Sequence, residues 1–316
     1  MEHFLYSIHA TLPIFLVMLV GWVLKQVGML NDEFCKVANR FNFKVTLPIL
    51  LFLDIADMDI RAYFDPRYLA FCVGVTTVCF VVIWALTEKF MKDEESKGAF
   101  VQGSFRGSAA VLGAALILNI YEDVGPLPLM IIGSVPLYNI FSVIVLTFKA
   151  RGGMQGQGSA RIRAALIGIC KNPLIWGIVL GLPFSVWHLP IPVIMEKTLQ
   201  NFSDISTPLA LVVIGASFEG AKALAKVKPT LIAALIKLVI QPAIFLPLAI
   251  AMGFRDQSLV ALLIMLGAPT TPSTYIMAQS MNNDDVLAAS IIVVTILASS
   301  VTITGWLFWM SAIGVV

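Results

Sequence analysis

Charge is what this chain has least of. Asp, Glu, Lys and Arg together make up 13% of its 316 residues, about half the share of an ordinary soluble domain. Hydrophobic residues make up 59%, and the mean hydropathy is +0.90. A water-soluble protein of this composition could not cover its surface, which excludes soluble enzymes and nucleic-acid-binding proteins. Nucleic acid is accordingly not expected as a partner. Cysteine is also scarce: Cys35, Cys72, Cys79 and Cys170 show no CxxC spacing, and Cys72 and Cys79 read as small apolar side chains. His3, His9 and His188 form no metal-ligand pattern. No metal and no organic cofactor is expected. The start, Met-Glu-His, lacks a basic region and a small-residue cleavage site, so the first apolar segment reads as a retained span.

What the chain has is a succession of segments long enough to cross about 30 Å of hydrocarbon. Ten are read, at roughly 5–26, 37–58, 66–90, 97–121, 126–149, 163–185, 192–218, 229–252, 257–281 and 285–310. The expected fold class is therefore an all-α polytopic membrane protein, with the lipid bilayer as its surroundings. The clear linker is RGGMQGQGSA, Arg151 to Ala160, glycine-rich and polar. It separates a first five-helix unit, 1–150, from a second, 161–316. Connections on one side hold fourteen Lys and Arg residues, from Lys25 to Lys228, against four on the other, Arg61, Arg67, Lys197 and Arg255. That asymmetry places the linker in the cytoplasm and both termini outside it, across a cell inner (plasma) membrane.

The halves resemble one another. At a displacement of about 160 residues Pro13 falls on Pro173, Gly21 on Gly181 and Pro48 on Pro208. Pro66 and Pro229 agree at about 163, and the fourth and ninth segments at about 161. Five spans is an odd number, so the second copy lies upside down relative to the first. Inverted repeats are a signature of secondary transporters that alternate one central site between two faces.

LPIFLVMLVGWVLKQVGMLNDEF, NRFNFKVTLPILLF, KNPLIWGIVLGLP and APTTPSTYIMAQ resemble the auxin efflux carrier family. That family is similar in fold to the sodium–bile acid symporters, and the resemblance covers essentially the whole chain. It implies ten helices in two inverted repeats. Helices 1, 2, 6 and 7 would form a scaffold, helices 3–5 and 8–10 a mobile transport domain, and the broken helices 4 and 9 would cross beside the substrate. It also implies a homodimer through the scaffold and a substrate that is a small organic acid. Members often carry Asn, then Gly-x-Pro, in the fourth helix; here Ser108 and Ala115 stand at the Asn and Pro positions, which predicts a less interrupted helix.

The residues themselves point to the same places. Pro269 and Pro272, three apart in an apolar segment, each remove a backbone donor at about 3 kcal/mol or more. The helix is expected to break there, leaving Thr270, Thr271, Ser273 and Thr274 to face a cavity or to bond their own backbone. Arg106 lies roughly ten residues into a span, at about 2.5–3.5 kcal/mol if central. It reads either as a carboxylate clamp or as a snorkelling or ion-paired side chain. Ser108, Tyr138 and Asn139 join the candidate substrate-binding set, Asn139 alternatively as a helix–helix hydrogen bond.

Lys237 and Gln241, four apart before Pro242, read as charge balance for an anion, as a fixed cation in place of sodium, or as a structural pair with Asp204 or Glu219. Asp204 is expected to lie deep and to carry proton coupling. Asp54, Asp57 and Asp59 read as a solvated rim. Pro48, Pro208 and Pro272 are the expected hinges. The composite expectation is an elevator-type carrier of dicarboxylates or auxin-like monocarboxylates, with proton or sodium coupling open. A channel or a transporter-like sensor is the alternative, and no catalytic constellation is found at helical spacing.

Overall fold

The computed structural model describes residues 2–56, 65–108, 117, 120–121, 125–151, 159–187 and 189–316. Among these residues the chain is helical, without strands. The first half runs α1 (Glu2–Gln26), α2 (Asp32–Phe41), a π-helical turn (Asn42–Thr46), α3 (Leu47–Ala56), α4 (Pro66–Phe90), α5 (Glu94–Phe105) and α6 (Leu127–Phe148). The second half runs α7 (Ser159–Cys170), α8 (Pro173–Trp187), α9 (Val193–Ala216), α10 (Gly220–Ala225) and α11 (Val227–Leu235). A second π turn (Ile236–Ile240) follows, then α12 (Gln241–Ala251), α13 (Asp256–Gly267), α14 (Ser273–Ser280) and α15 (Asp285–Ala312).

Local sequence explains the helix starts. Asn31 caps α2 by accepting from the Phe34 N–H at 2.7 Å, and Asp65 caps α4 from the Arg67 N–H at 2.8 Å, ahead of Pro66 in the first turn. Asp284 caps α15 from the Leu287 N–H at 3.0 Å.

Four stretches are long and apolar enough to cross a bilayer unaided: Pro66–Phe90, Leu127–Phe148, Val227–Ala251 and Asp285–Ala312. Other expected spans are built from pieces. The second is interrupted by the first π turn, the sixth between α7 and α8 at Lys171–Asn172, and the ninth between α13 and α14. Of the fourth, α5 is described; Ala115 lies outside the described residues, as do Asp57, Asp59, His188 and most of the linker. Large apolar side chains face outward on several helices, among them Val20, Val81, Leu180 and Phe308. Such a surface suits hydrocarbon and not water.

Glycines bring helix backbones together where helices cannot attract by hydrophobicity alone. A Cβ on Gly21 of α1 would run into the Val212 carbonyl of α9, and one on Gly215 of α9 into the Met18 carbonyl of α1. Likewise Gly177 and Gly181 of α8 lie against the Pro48 and Phe52 carbonyls of α3. The Gly21–Val212 and Gly181–Phe52 contacts are related by a displacement of 160 residues. Beside them Asn42 donates to the Ser206 carbonyl at 2.8 Å and accepts from the Ser206 hydroxyl at 3.0 Å and from Thr46. Pro48 and Pro208 flank this buried polar knot. Pro208 lies within α9, and Pro48 follows the π turn that the Leu47 N–H closes onto the Asn42 carbonyl.

Candidate functional site

A helix that stops inside a protein leaves its last carbonyls without donors, and each must be satisfied from elsewhere. α5 stops at Phe105; Arg106, with φ −84 and ψ 135, is already extended. The expectation of a less interrupted fourth helix is therefore corrected. No proline breaks α5: side chains from the second half take its carbonyls. Thr270 Oγ1 donates to the Gly103 carbonyl at 2.8 Å, Gln241 Nε2 to Ser104 at 2.6 Å, and Lys237 Nζ to Phe105 at 3.4 Å.

The second interruption has a local cause. α13 ends at Gly267, and Ala268 is extended with φ −65 and ψ 148. Pro269 has no N–H to offer the carbonyl four residues back, that of Met265. Two side chains replace the missing donor: Tyr138 Oη at 2.9 Å and Lys237 Nζ at 3.0 Å. The Thr270 N–H finds Thr295 Oγ1 at 3.1 Å. The two interruptions meet directly, through the Ser108 N–H and the Pro269 carbonyl at 2.8 Å.

Two cations are buried at this crossing, Arg106 with 5% exposure and Lys237 with none. Arg106 Nη2 donates to Ser273 Oγ at 2.7 Å and Nη1 to Met277 Sδ at 2.9 Å. Gln102 Nε2 turns to the same thioether at 3.4 Å, and sulfur is a weak acceptor for either group. Among the described residues neither cation forms an ion pair. The readings in which Arg106 snorkels or Lys237 pairs with Asp204 or Glu219 fall away. Asp204 accepts from Gln200 at 2.7 Å, and Glu219 binds Lys222 at 2.8 Å.

Arg106, Ser108, Tyr138, Pro269, Thr270, Ser273, Lys237 and Gln241 are thus gathered by direct bonds. Thr271 Oγ1 lies 3.1 Å from Ser273 Oγ. Thr274 Oγ1 is buried without a hydrogen-bond partner, at the start of α14, where Pro272 precedes the first turn. Asn139 Nδ2 bonds the Val135 carbonyl of its own helix at 3.0 Å, and its Oδ1 is unpartnered. Asp204 lies on the outward face of α9, because the Asn42–Ser206 knot turns the neighbouring Ser203 and Ser206 inward instead.

Sequence reasoning missed Gln102, Met277 and Thr295. Gln102 had a signal, being polar four residues before Arg106; a methionine thioether, and one threonine among the several hydroxyl residues of α15, carry none.

A charged cluster holds the front of α5. Buried Ser96 donates to Asp284 Oδ2 at 2.5 Å, and Lys226 bridges Asp284 at 3.0 Å and Asp93 at 2.7 Å. Burial would raise the Asp284 carboxyl, but the Ser96 hydroxyl, the Leu287 N–H and Lys226 outweigh it and hold it below the usual carboxylate range. Asp93 is lowered by the hydrogen bonds from Lys226 and Ser96. A groove of about 1040 Å³ runs between α4 and α11–α12, lined by apolar residues such as Ile83, Ile236 and Phe245. Gln241 is where it touches the crossing.

Outward apolar helices around a buried, cation-bearing crossing of two interrupted helices define a multi-pass membrane protein. Residues 6–307 match the family described as membrane transport protein, and the chain belongs to that family, the auxin efflux carriers. It is 21% identical over 306 residues to an uncharacterized transporter of Methanothermobacter thermautotrophicus, covering 96% of this chain and 98% of that one. YfdV of Escherichia coli K12, also an uncharacterized transporter, is 22% identical over 94% of this chain and 95% of its own length. A Rhizobium meliloti protein named "Putative malonate transporter" is 21% identical over 94% of this chain and 93% of its own.

Proposed function

We propose that this protein is a secondary carrier for small organic anions, working by an elevator movement. The observation that carries the reading is the buried Arg106, held only by a hydroxyl and a thioether at a crossing without a carboxylate among the described residues. A charge kept at such depth needs a counterpart, and a carboxylate substrate supplies one. The start of α14 adds a favourable dipole for negative charge. In this reading Arg106, Ser108, Tyr138, Asn139, Pro269 and Thr270 to Thr274 form the substrate site. Arg106 exchanges the Met277 thioether for a carboxylate oxygen, a far stronger acceptor. The relative named for malonate makes a dicarboxylate the first candidate.

The same reading takes the chain as ten spans of the inner membrane in two inverted repeats, 1–150 and 161–316, joined by a cytoplasmic linker, with both termini outside the cytoplasm. The paired glycine contacts at one displacement support the repeat. The scaffold would be α1–α3 and α7–α9, with Pro48 and Pro208 as hinges and a homodimer through its outward face. The transport domain would be α4–α6 and α11–α15. Asn39 of α2 bonds Ser280 Oγ of α14 at 2.9 Å, at the boundary where the two would slide.

Thermal stability of the purified protein measured with malonate and other organic acids tests the site. A hit should raise the melting temperature, and Arg106→Ala should abolish the rise; a variant keeping the full shift removes Arg106 from the site. Counterflow of the hit in proteoliposomes is expected. Single-channel currents would instead make the protein a channel, and binding without counterflow a sensor.

A further inference from the structure

Phe105 closes α5, and Met265 lies in the last turn of α13, so both carbonyls belong to helix C-termini, where about half a negative charge collects. A third element, the π turn 236–240, places the Lys237 ammonium against both, 3.4 Å from one oxygen and 3.0 Å from the other. The Tyr138 ring adds its face, with its centroid 5.8 Å from Nζ. Gly107 makes the room: a Cβ there would stand 2.9 Å from both Cε and Nζ of Lys237. An ammonium held by backbone carbonyls and a ring face, with no carboxylate ion-paired to it among the described residues, is not a salt bridge. Its surroundings are those that unwound carbonyls and half-helix ends provide for a bound monovalent cation.

We infer that Lys237 is a tethered cation: its ammonium fills the cation seat made by the two broken-helix ends, so the crossing requires no dissolved sodium ion to hold together. The inference concerns the seat itself; its bearing on ion coupling rests on the carrier reading above.

The test needs no substrate. Melting temperatures of the full-length protein are compared in sodium chloride and choline chloride at equal ionic strength. The wild type is expected to show no difference between them. Lys237→Ala removes the equivalent of n-propylamine and should lower the melting temperature by on the order of 5 °C. n-Propylammonium should restore at least half of the loss, and tetramethylammonium, which has no N–H to donate, none of it. Lys237→Met fills the same space without donors and should remain low under every salt.

Three outcomes overturn the inference: a wild type stabilised by sodium over choline, a Lys237→Ala protein indifferent to n-propylammonium, or a Lys237→Met protein as stable as the wild type. If Lys237→Ala does not fold, the methionine variant and the wild-type salt comparison still decide. Failure here with a surviving Arg106-dependent malonate shift would leave the carrier reading intact, and the reverse result would leave the seat intact.

Discussion

The two helix interruptions meet at one backbone–backbone hydrogen bond and have opposite origins. The one after α13 is written locally, since Pro269 withholds a donor from Met265 and Pro272 one from Ala268. The one after α5 ends without a proline at Arg106, Gly107 or Ser108. It is imposed by Thr270, Gln241 and Lys237, which take the carbonyls of Gly103, Ser104 and Phe105. One break has its cause in its own sequence; the other has its last carbonyls held by side chains from the second half. A proline sets a break permanently, whereas donors reaching in from other elements make it depend on where those elements stand.

The largest effect should come from stripping those donors. Gln241→Leu with Thr270→Val leaves two buried carbonyls bare, at about 1–3 kcal/mol each, and should lower the melting temperature more than either change alone. Hydrogen exchange at 103–108 should quicken in parallel. A double variant as stable as the wild type would mean that the first break is intrinsic after all. Next comes Thr295→Val, which leaves the Thr270 N–H unmatched at about 1–3 kcal/mol for one group; the loss should be confined to the second break.

Acid should act on the front of α5. Asp284 and Asp93 are held below ordinary carboxylate values, so their stabilisation is present above that range and is lost as pH falls through their lowered values. As pH falls below about 4 the wild type should lose stability faster than Asp284→Asn, which starts about 1 kcal/mol lower. The smallest change is expected from Pro269→Ala. It restores one donor, but Pro272 still withholds another from Ala268 and the Met265 carbonyl already has Tyr138 and Lys237, so stability should move by less than about 1 kcal/mol. A large gain in amide protection across 268–272 would show that the proline alone holds that break open.

This contrast also sets what could be read from the chain. The break at 268–272 was legible because its cause is local. The hydropathy pattern gave the class of fold, and the glycine and proline spacing singled out positions that prove to be helix contacts. Lys237 and Gln241 stood out as polar residues in an apolar run, but their targets on α5, the Phe105 and Ser104 carbonyls more than a hundred residues away, leave no trace in spacing. The interruption after α5 was hidden for that reason, and Ser108 and Ala115 pointed away from it. Asp204 misled because burial along α9 is decided by which face packs on Asn42, which composition does not record.

Glycine contacts such as Gly215 on Met18 and Gly177 on Pro48 have a mechanical corollary. Where backbones touch, no rotamer stands between them to yield, so axial slippage would drive one main chain into the next. The pairs α1–α9 and α3–α8 behave as welded girders. Any displacement inside the molecule falls to seams padded by side chains, such as the one where Asn39 reaches Ser280.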